Sequence, residues 1–170
     1  MAKKIWLVTR LEQLKNGKLV DFIVEVLDAD KSILVELQKD QLFAGQNSKG
    51  GNLAPSYYAD PYFKSPIAAA KYAKFKESND KQVRMHNPAF KKKEMETPNL
   101  IVNGKLFYNA IFAELSNDSL ILHSRGAIIA KLESKYGDLM GLNETAWKYY
   151  IEKYNFIERL QKKIMTFLTA

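Results

Sequence analysis

From the N-terminus to Gly45 the apolar residues recur at helical spacing. Leu19, Phe22, Ile23 and Val26 share one face of a 3.6-residue period, and Ile33, Leu34, Leu37 and Leu42 continue it. Asn16-Gly17 punctuates the start, and Asp28 to Ser32 either caps a second helix or lies within one long helix. Gly45 sits where a helix C-terminal glycine is expected. Residues 46–62 (QNSKGGNLAPSYYADPY) then read as a structured loop, since Pro55 and Pro61 exclude a regular helix or a central strand.

Helical periodicity returns over 65–77, with Ile67, Ala68, Tyr72 and Phe75 on one side and lysines mostly on another. Residues 78–98 carry no period and few large apolar groups. A structureless stretch of that length inside a domain is expected to be functional or disordered, and it reads as an extended basic arm or loop that becomes ordered on assembly. Beyond Pro98, Leu106 to Leu115 and Leu120 to His123 flank the turn-forming Ser116-Asn117-Asp118 and predict a β-hairpin. A short helix over 125–136 ends at Gly137. Asn143 caps the last helix, with Glu144 at its positive end. From Trp147 through Tyr150, Ile151, Tyr154, Ile157, Leu160 and Ile164 to Phe167, one apolar stripe predicts a helix of roughly 36 Å.

The fold expected is therefore α+β: an N-terminal helical block, a small antiparallel hairpin or sheet, a long C-terminal helix and an extended basic arm. Residues 1–170 form a single domain, with 78–98 as the arm within it. The composition, 46% apolar and 12% aromatic, is that of a globular chain. Without cysteine, disulfide and thiolate chemistry are excluded. Only four apolar residues, Ile5 to Val8, follow the basic N-terminus, too few for a signal core. No run approaches about 20 apolar residues, so a soluble, unsecreted protein without membrane contact is expected.

Charge changes the picture more. Residues 64–93 hold nine cations (Lys64, Lys71, Lys74, Lys76, Lys81, Arg84, Lys91, Lys92 and Lys93) against Glu77 and Asp80. That excess of seven equals the net +7 of the whole chain. Such asymmetry speaks of an acidic partner rather than of fold. Nine cations interleaved with Tyr62, Phe63, Tyr72, Phe75 and Phe90 suit a phosphate backbone with stacking rings. A solvated helix face with a loop, or an arm reaching acidic surface on a neighbouring subunit, fits the same letters.

Little points to catalysis. His86 and His123 lack the spacing of a metal site, and the neighbouring carboxylates Glu133 with Asp138, or Glu94 with Glu96, mark no desolvated pocket. Gly50-Gly51 lacks the Lys-Ser/Thr of a phosphate loop and reads as a turn. No catalytic residue, cofactor, metal or small-molecule substrate is expected, and the chain is read as a non-enzyme.

An ordered set of segments carries a resemblance. Gln41-Leu42, Gly45, Ser48, Gly50 or Gly51, Leu53-Ala54-Pro55 and Tyr57-Tyr58 precede a lysine-bearing helix. Pro98-Asn99-Leu100, Gly104, Phe107, Asp118, Leu120-Ile121, Ala130, Leu132, Tyr136-Gly137 and Gly141-Leu142 follow it. Over roughly residues 35–145 this order resembles neck, tail-completion and minor-tail proteins of tailed phages, most of all short virion proteins of crAss-like phages. Val102-Asn103-Gly104 stands where that family has a Thr-Gly pair, and the tract before it is replaced by the Lys-rich arm.

The resemblance implies a structural virion protein of the head–tail connector, neck or tail ring, found in the virion and, during assembly, in the host cytoplasm. It implies a homo-oligomeric ring of six or twelve copies that joins portal and adjacent tail or ring proteins, with DNA contact in the channel. The expected contact residues are Lys81, Arg84, Lys91, Lys92 and Lys93, with Tyr57, Tyr58 and Phe90 as aromatic anchors. The alternative function is non-specific nucleic-acid binding through the same cations, and a small hydrolase stands third.

Overall fold

The computed structural model describes residues 2–80, 87–91, 93–100 and 106–170. It is an α+β fold. Helices α1 (Ala2–Gln13), α2 (Leu19–Ala29), α3 (Lys31–Phe43) and α4 (Pro66–Asp80) precede a short helical turn, α5 (Leu106–Asn109). Strands β1 (Ile111–Ser116) and β2 (Ser119–Ser124) follow, then α6 (Ile128–Tyr136), α7 (Glu144–Lys153) and α8 (Phe156–Thr169). The strands pair antiparallel from Ile111 opposite Ser124 to Ser116 opposite Ser119. Asn117 and Asp118 make the turn, with Asn117 at φ +50°, a conformation that asparagine tolerates better than most residues. The segment expected as one strand from Leu106 divides, its first turn being helical.

Helix α3 is the axis of the molecule. Leu34, Leu37 and Leu42 are each at most 3% exposed, and each such burial stabilises the fold by roughly 1.5–3 kcal/mol. Leu42 belongs to a cluster with Leu53, Leu100, Phe107, Tyr108, Ile111 and Leu139, which Ile128, Ile129 and Leu132 of α6 cover. Leu34 and Leu37 belong to a second cluster with Phe90, Leu142, Ala146 and Tyr150. A helix packed on both sides needs partners for its polar residues, and Gln38, Asp40 and Gln41 are all buried here.

The helix ends as the sequence predicts. Gly45 N–H donates to Leu42 O and Gln46 N–H to Gln41 O, the paired bonds of a left-handed helix stop, with Gly45 at φ +74°. A second requirement is steric, since a Cβ on Gly45 would lie 2.5 Å from Cγ2 of Thr97. Asp30 separates α2 from α3, so the block is not one long helix. The carboxylate of Asp30 does not cap α3: it accepts from Tyr150 Oη at 2.7 Å and pairs with Arg159.

The apolar stripe of residues 147–167 is carried on two helices rather than one. Asn155 adopts φ +50°, ψ +41°, which breaks the hydrogen-bond ladder between α7 and α8. The bend turns α8 back along α2. Phe22 meets Phe167 edge to face at 5.5 Å, Lys163 pairs with Glu25 at 2.7 Å, and Arg159 pairs with Asp30. Helix α1 joins them through Arg10, whose guanidinium lies 4.6 Å from the Phe167 ring centre. The turn between α1 and α2 departs from helical geometry at Asn16-Gly17, where Gly17 has φ +112°.

Candidate functional site

Three features assemble the residues that the sequence singles out. The first is a glutamine clamp. Gln38 and Gln41 lie three apart on α3 and reach one loop, 139–143, through their carboxamides. Gln38 Nε2 donates to Leu139 O (3.0 Å) while its Oε1 accepts from Gly141 N–H (2.7 Å). Gln41 repeats the pattern one step along, donating to Gly141 O (2.9 Å) and accepting from Asn143 N–H (2.7 Å). Asn143 in turn caps α7, its Oδ1 accepting from Ala146 N–H at 3.0 Å, and its Nδ2 donates to Gln46. Ser48 ties the neighbouring Asp138 carbonyl through both N–H and hydroxyl. Gln41, Ser48 and Gly141 thus meet around one loop. Their work is to hold the chain's own backbone.

The second feature is the basic segment. Lys81, Arg84 and Lys92 lie outside the described residues. Where the chain is described, 87–91 and 93–100 have no helix or strand, yet they do not stand away from the body. Asn87 N–H donates to Asp40 Oδ2 at 2.6 Å, Asn99 N–H to Tyr57 Oη at 3.0 Å, and Asn99 Nδ2 to Lys76 O at 3.1 Å. Tyr57 N–H reaches Glu96 O at 2.9 Å.

Phe90 and Tyr57, expected as partner-facing anchors, are each 3% exposed. This corrects that expectation: Phe90 fills the cluster beside Leu34 and Leu37, and Tyr57 pins 96–99 to the body. Burying such rings gains more than leaving them to wait for a partner. Tyr58 is exposed, as is Lys91, whereas Lys93 is half-buried beside Gly45.

The third feature is a cleft of about 310 Å³ between α4, α6 and the loop before α4. Sequence reasoning missed it. Asp60 is buried at its base and accepts from Tyr62 N–H (3.0 Å) and from Lys135 Nζ. Burial would raise the Asp60 carboxyl, but the Lys135 ammonium, by hydrogen bond and charge, and the Tyr62 N–H outweigh it. Together they hold the group below the ordinary carboxylate range. For Lys135, burial pulls down, but Asp60 and Tyr136 prevail and raise it.

Tyr62, Phe63 and Tyr72 line this cleft and Phe75 continues their row outside it, with successive ring centres 5.2, 5.0 and 6.3 Å apart. The sequence set these four rings among lysines as candidate stacking groups, but gave no sign of the cleft beside them. Nothing in the letters pairs Asp60 with Lys135, which are 75 positions apart.

Among the described residues no group of three His, Asp or Glu is placed to hold a metal ion. No described helix is long and apolar enough to cross a membrane. Uncovered apolar surface lies on and before α4, where Tyr62 and Ile67 are the most exposed, and on the terminal helices. Trp6, Leu7, Val8 and Leu11 on α1 are 38–49% exposed, and Ile157 and Met165 on α8 are 48% and 58% exposed. Neither α8 nor the described side chains of α1 include a buried residue. No protein-family model, curated protein or solved structure matches the chain.

Proposed function

We propose that this chain is a structural virion protein of the head–tail connector, neck or tail ring of a tailed phage, joining portal and tail by subunit–subunit contacts. One observation supports the reading above the rest. The terminal helices leave part of their apolar surface uncovered, Trp6, Leu7, Val8 and Leu11 on α1 and Ile157 and Met165 on α8, although the body behind them is well packed. Leu7, Leu11 and Leu14 are spaced four and three apart along α1 and its continuation, the spacing of a stripe that packs on another helix. A contiguous apolar surface of this kind marks a contact with another chain. Head-to-tail contact between unlike faces builds a ring where its rotation closes, which is the geometry a channel requires. The basic segment is not needed as a reaching arm in this reading. Exposed Tyr58 and Lys91 remain as contacts at its edge.

The test is assembly. Light scattering and negative-stain microscopy of the purified chain should show closed rings of six or twelve copies. The double variant Leu7→Glu, Leu11→Glu should give monomers with an unchanged circular dichroism spectrum. Rings that persist in the variant overturn the assignment of the contact to α1. Immunogold labelling of intact particles should decorate the junction of capsid and tail. Label distributed over the capsid, or absent from particles, overturns the function.

A further inference from the structure

The aromatic row that starts in the Asp60 cleft and runs out to Phe75 is unusual in its exposure. Tyr62 is 78% exposed, Phe75 59% and Tyr72 39%. A ring sheds unfavourable water contact when buried, so a row of open rings signals a surface awaiting a flat, stackable ligand. Helix α4 explains why these rings face outward. Its inward positions are Ala69, Ala73 and Lys76, all buried, which turns Tyr72 and Phe75 to one flank.

Lys71 lies one turn before Phe75, and Lys74 follows on the outer face. Lys64 sits next to Phe63 in the loop. All three lysines are exposed, and none forms an ion pair among the described residues. Of the carboxylates near the face, Asp60 is neutralised by Lys135, and Glu77 on α4 is half-buried. The face therefore combines open π-surfaces with an excess of positive charge.

We propose that Tyr62, Phe63, Tyr72 and Phe75, with Lys64, Lys71 and Lys74, form a platform for single-stranded nucleic acid. Bases stack on the open rings while the ammonium groups meet the phosphates. The rings are inclined to one another by 86°, 43° and 45°, so each presents its own face and takes a separate base. Duplex DNA keeps its base faces stacked inside and offers only phosphates, so the platform favours unpaired strands. An acidic protein surface would satisfy the lysines and leave the rings without flat partners. The platform takes the first part of the basic segment, Lys64, Lys71 and Lys74, and no residue of the 78–98 arm. It stands independently of the assembly reading.

Fluorescence anisotropy of full-length protein with labelled oligo(dT) tests it, against a duplex of the same length. Oligo(dT) is expected to bind more tightly. Phe75→Ala and Tyr62→Ala should each weaken binding about tenfold without altering the salt dependence. The double variant Lys71→Gln, Lys74→Gln should flatten the slope of log K against log salt by about 1.4. Lys91→Gln, outside the platform, should change neither. All of these side chains are exposed, so matched circular dichroism spectra will show that the fold is kept. Absence of binding at low salt overturns the proposal. So does equal affinity for duplex, or affinity unmoved by Phe75→Ala, since charge alone would then be responsible. Displacement of oligo(dT) by polyglutamate at equal charge concentration would point to an acidic protein and also overturn it.

Discussion

Replacing Gln41 with leucine isolates the glutamine clamp from simple packing. Leucine has nearly the same volume, so the cavity contribution is small. What is lost is the pair of bonds to Gly141 O and Asn143 N–H, at 2.9 and 2.7 Å. Gln41 is fully buried and Asn143 is 3% exposed, so water does not readily replace the carboxamide at that N–H. Leaving a buried backbone group unpaired costs about 1–3 kcal/mol. The half-buried Gly141 carbonyl belongs at the lower end, which makes the total about 2–4 kcal/mol. With a urea dependence of about 2 kcal/mol per molar, the midpoint of unfolding should fall by about 1–2 M.

Equilibrium urea denaturation followed by circular dichroism measures this shift. The control is Gln161→Leu on the exposed face of α8, expected to stay within about 0.5 kcal/mol of the parent. Gln38→Leu should cost a similar amount to Gln41→Leu. The double variant should cost less than the sum, because both side chains hold the same loop. A Gln41→Leu midpoint indistinguishable from that of Gln161→Leu would refute the reasoning. It would mean that the 139–143 loop is held by its apolar residues, Leu139 and Leu142, alone.

Two further consequences concern stability. Gly45→Ala combines a left-handed backbone with a contact to Thr97 and should destabilise by more than about 2 kcal/mol, whereas Gly17→Ala, with φ +112° but open space around it, should cost about 1 kcal/mol. Thermal melts of the two variants check the order, and equal losses would remove the steric argument at Gly45. The Asp60 carboxyl is held low in the folded state, so the folded protein binds fewer protons than the unfolded chain as pH falls below about 4. Its stabilisation is present above that range and lost as pH drops through the lowered folded value. Lys135→Gln should move this loss to higher pH in denaturation profiles, and an unchanged profile would show that Asp60 is not governed by Lys135.

Legibility in the sequence followed how local each cause is. The Gly45 stop, the Asn117-Asp118 turn, the Gly137 end of α6 and the Asn143 cap depend on a few adjacent residues, and each lies where the pattern put it. The break at Asn155 was hidden because α7 and α8 together keep one apolar period across it. The basic segment was misplaced for a related reason. Residues 87–100 have no period, and their anchors, Asp40, Tyr57 and Lys76, are distant in sequence. Charge density says that lysines meet water or anions; it says nothing about the Asn87, Phe90 and Pro98 between them, which are buried.

The sequence by itself determined the α+β character, the position of most helix ends and the surplus of positive charge in one region. Local propensity and periodicity act over a turn or two of chain, and these features need nothing more. Tertiary structure alone decided that Gln38 and Gln41 share a loop a hundred residues away, that Asp60 meets Lys135, and that Phe90 turns inward while Tyr62 and Phe75 stay out. Each of those outcomes depends on burying a polar or aromatic group only where a distant segment can satisfy it, and that condition is met in space rather than along the chain.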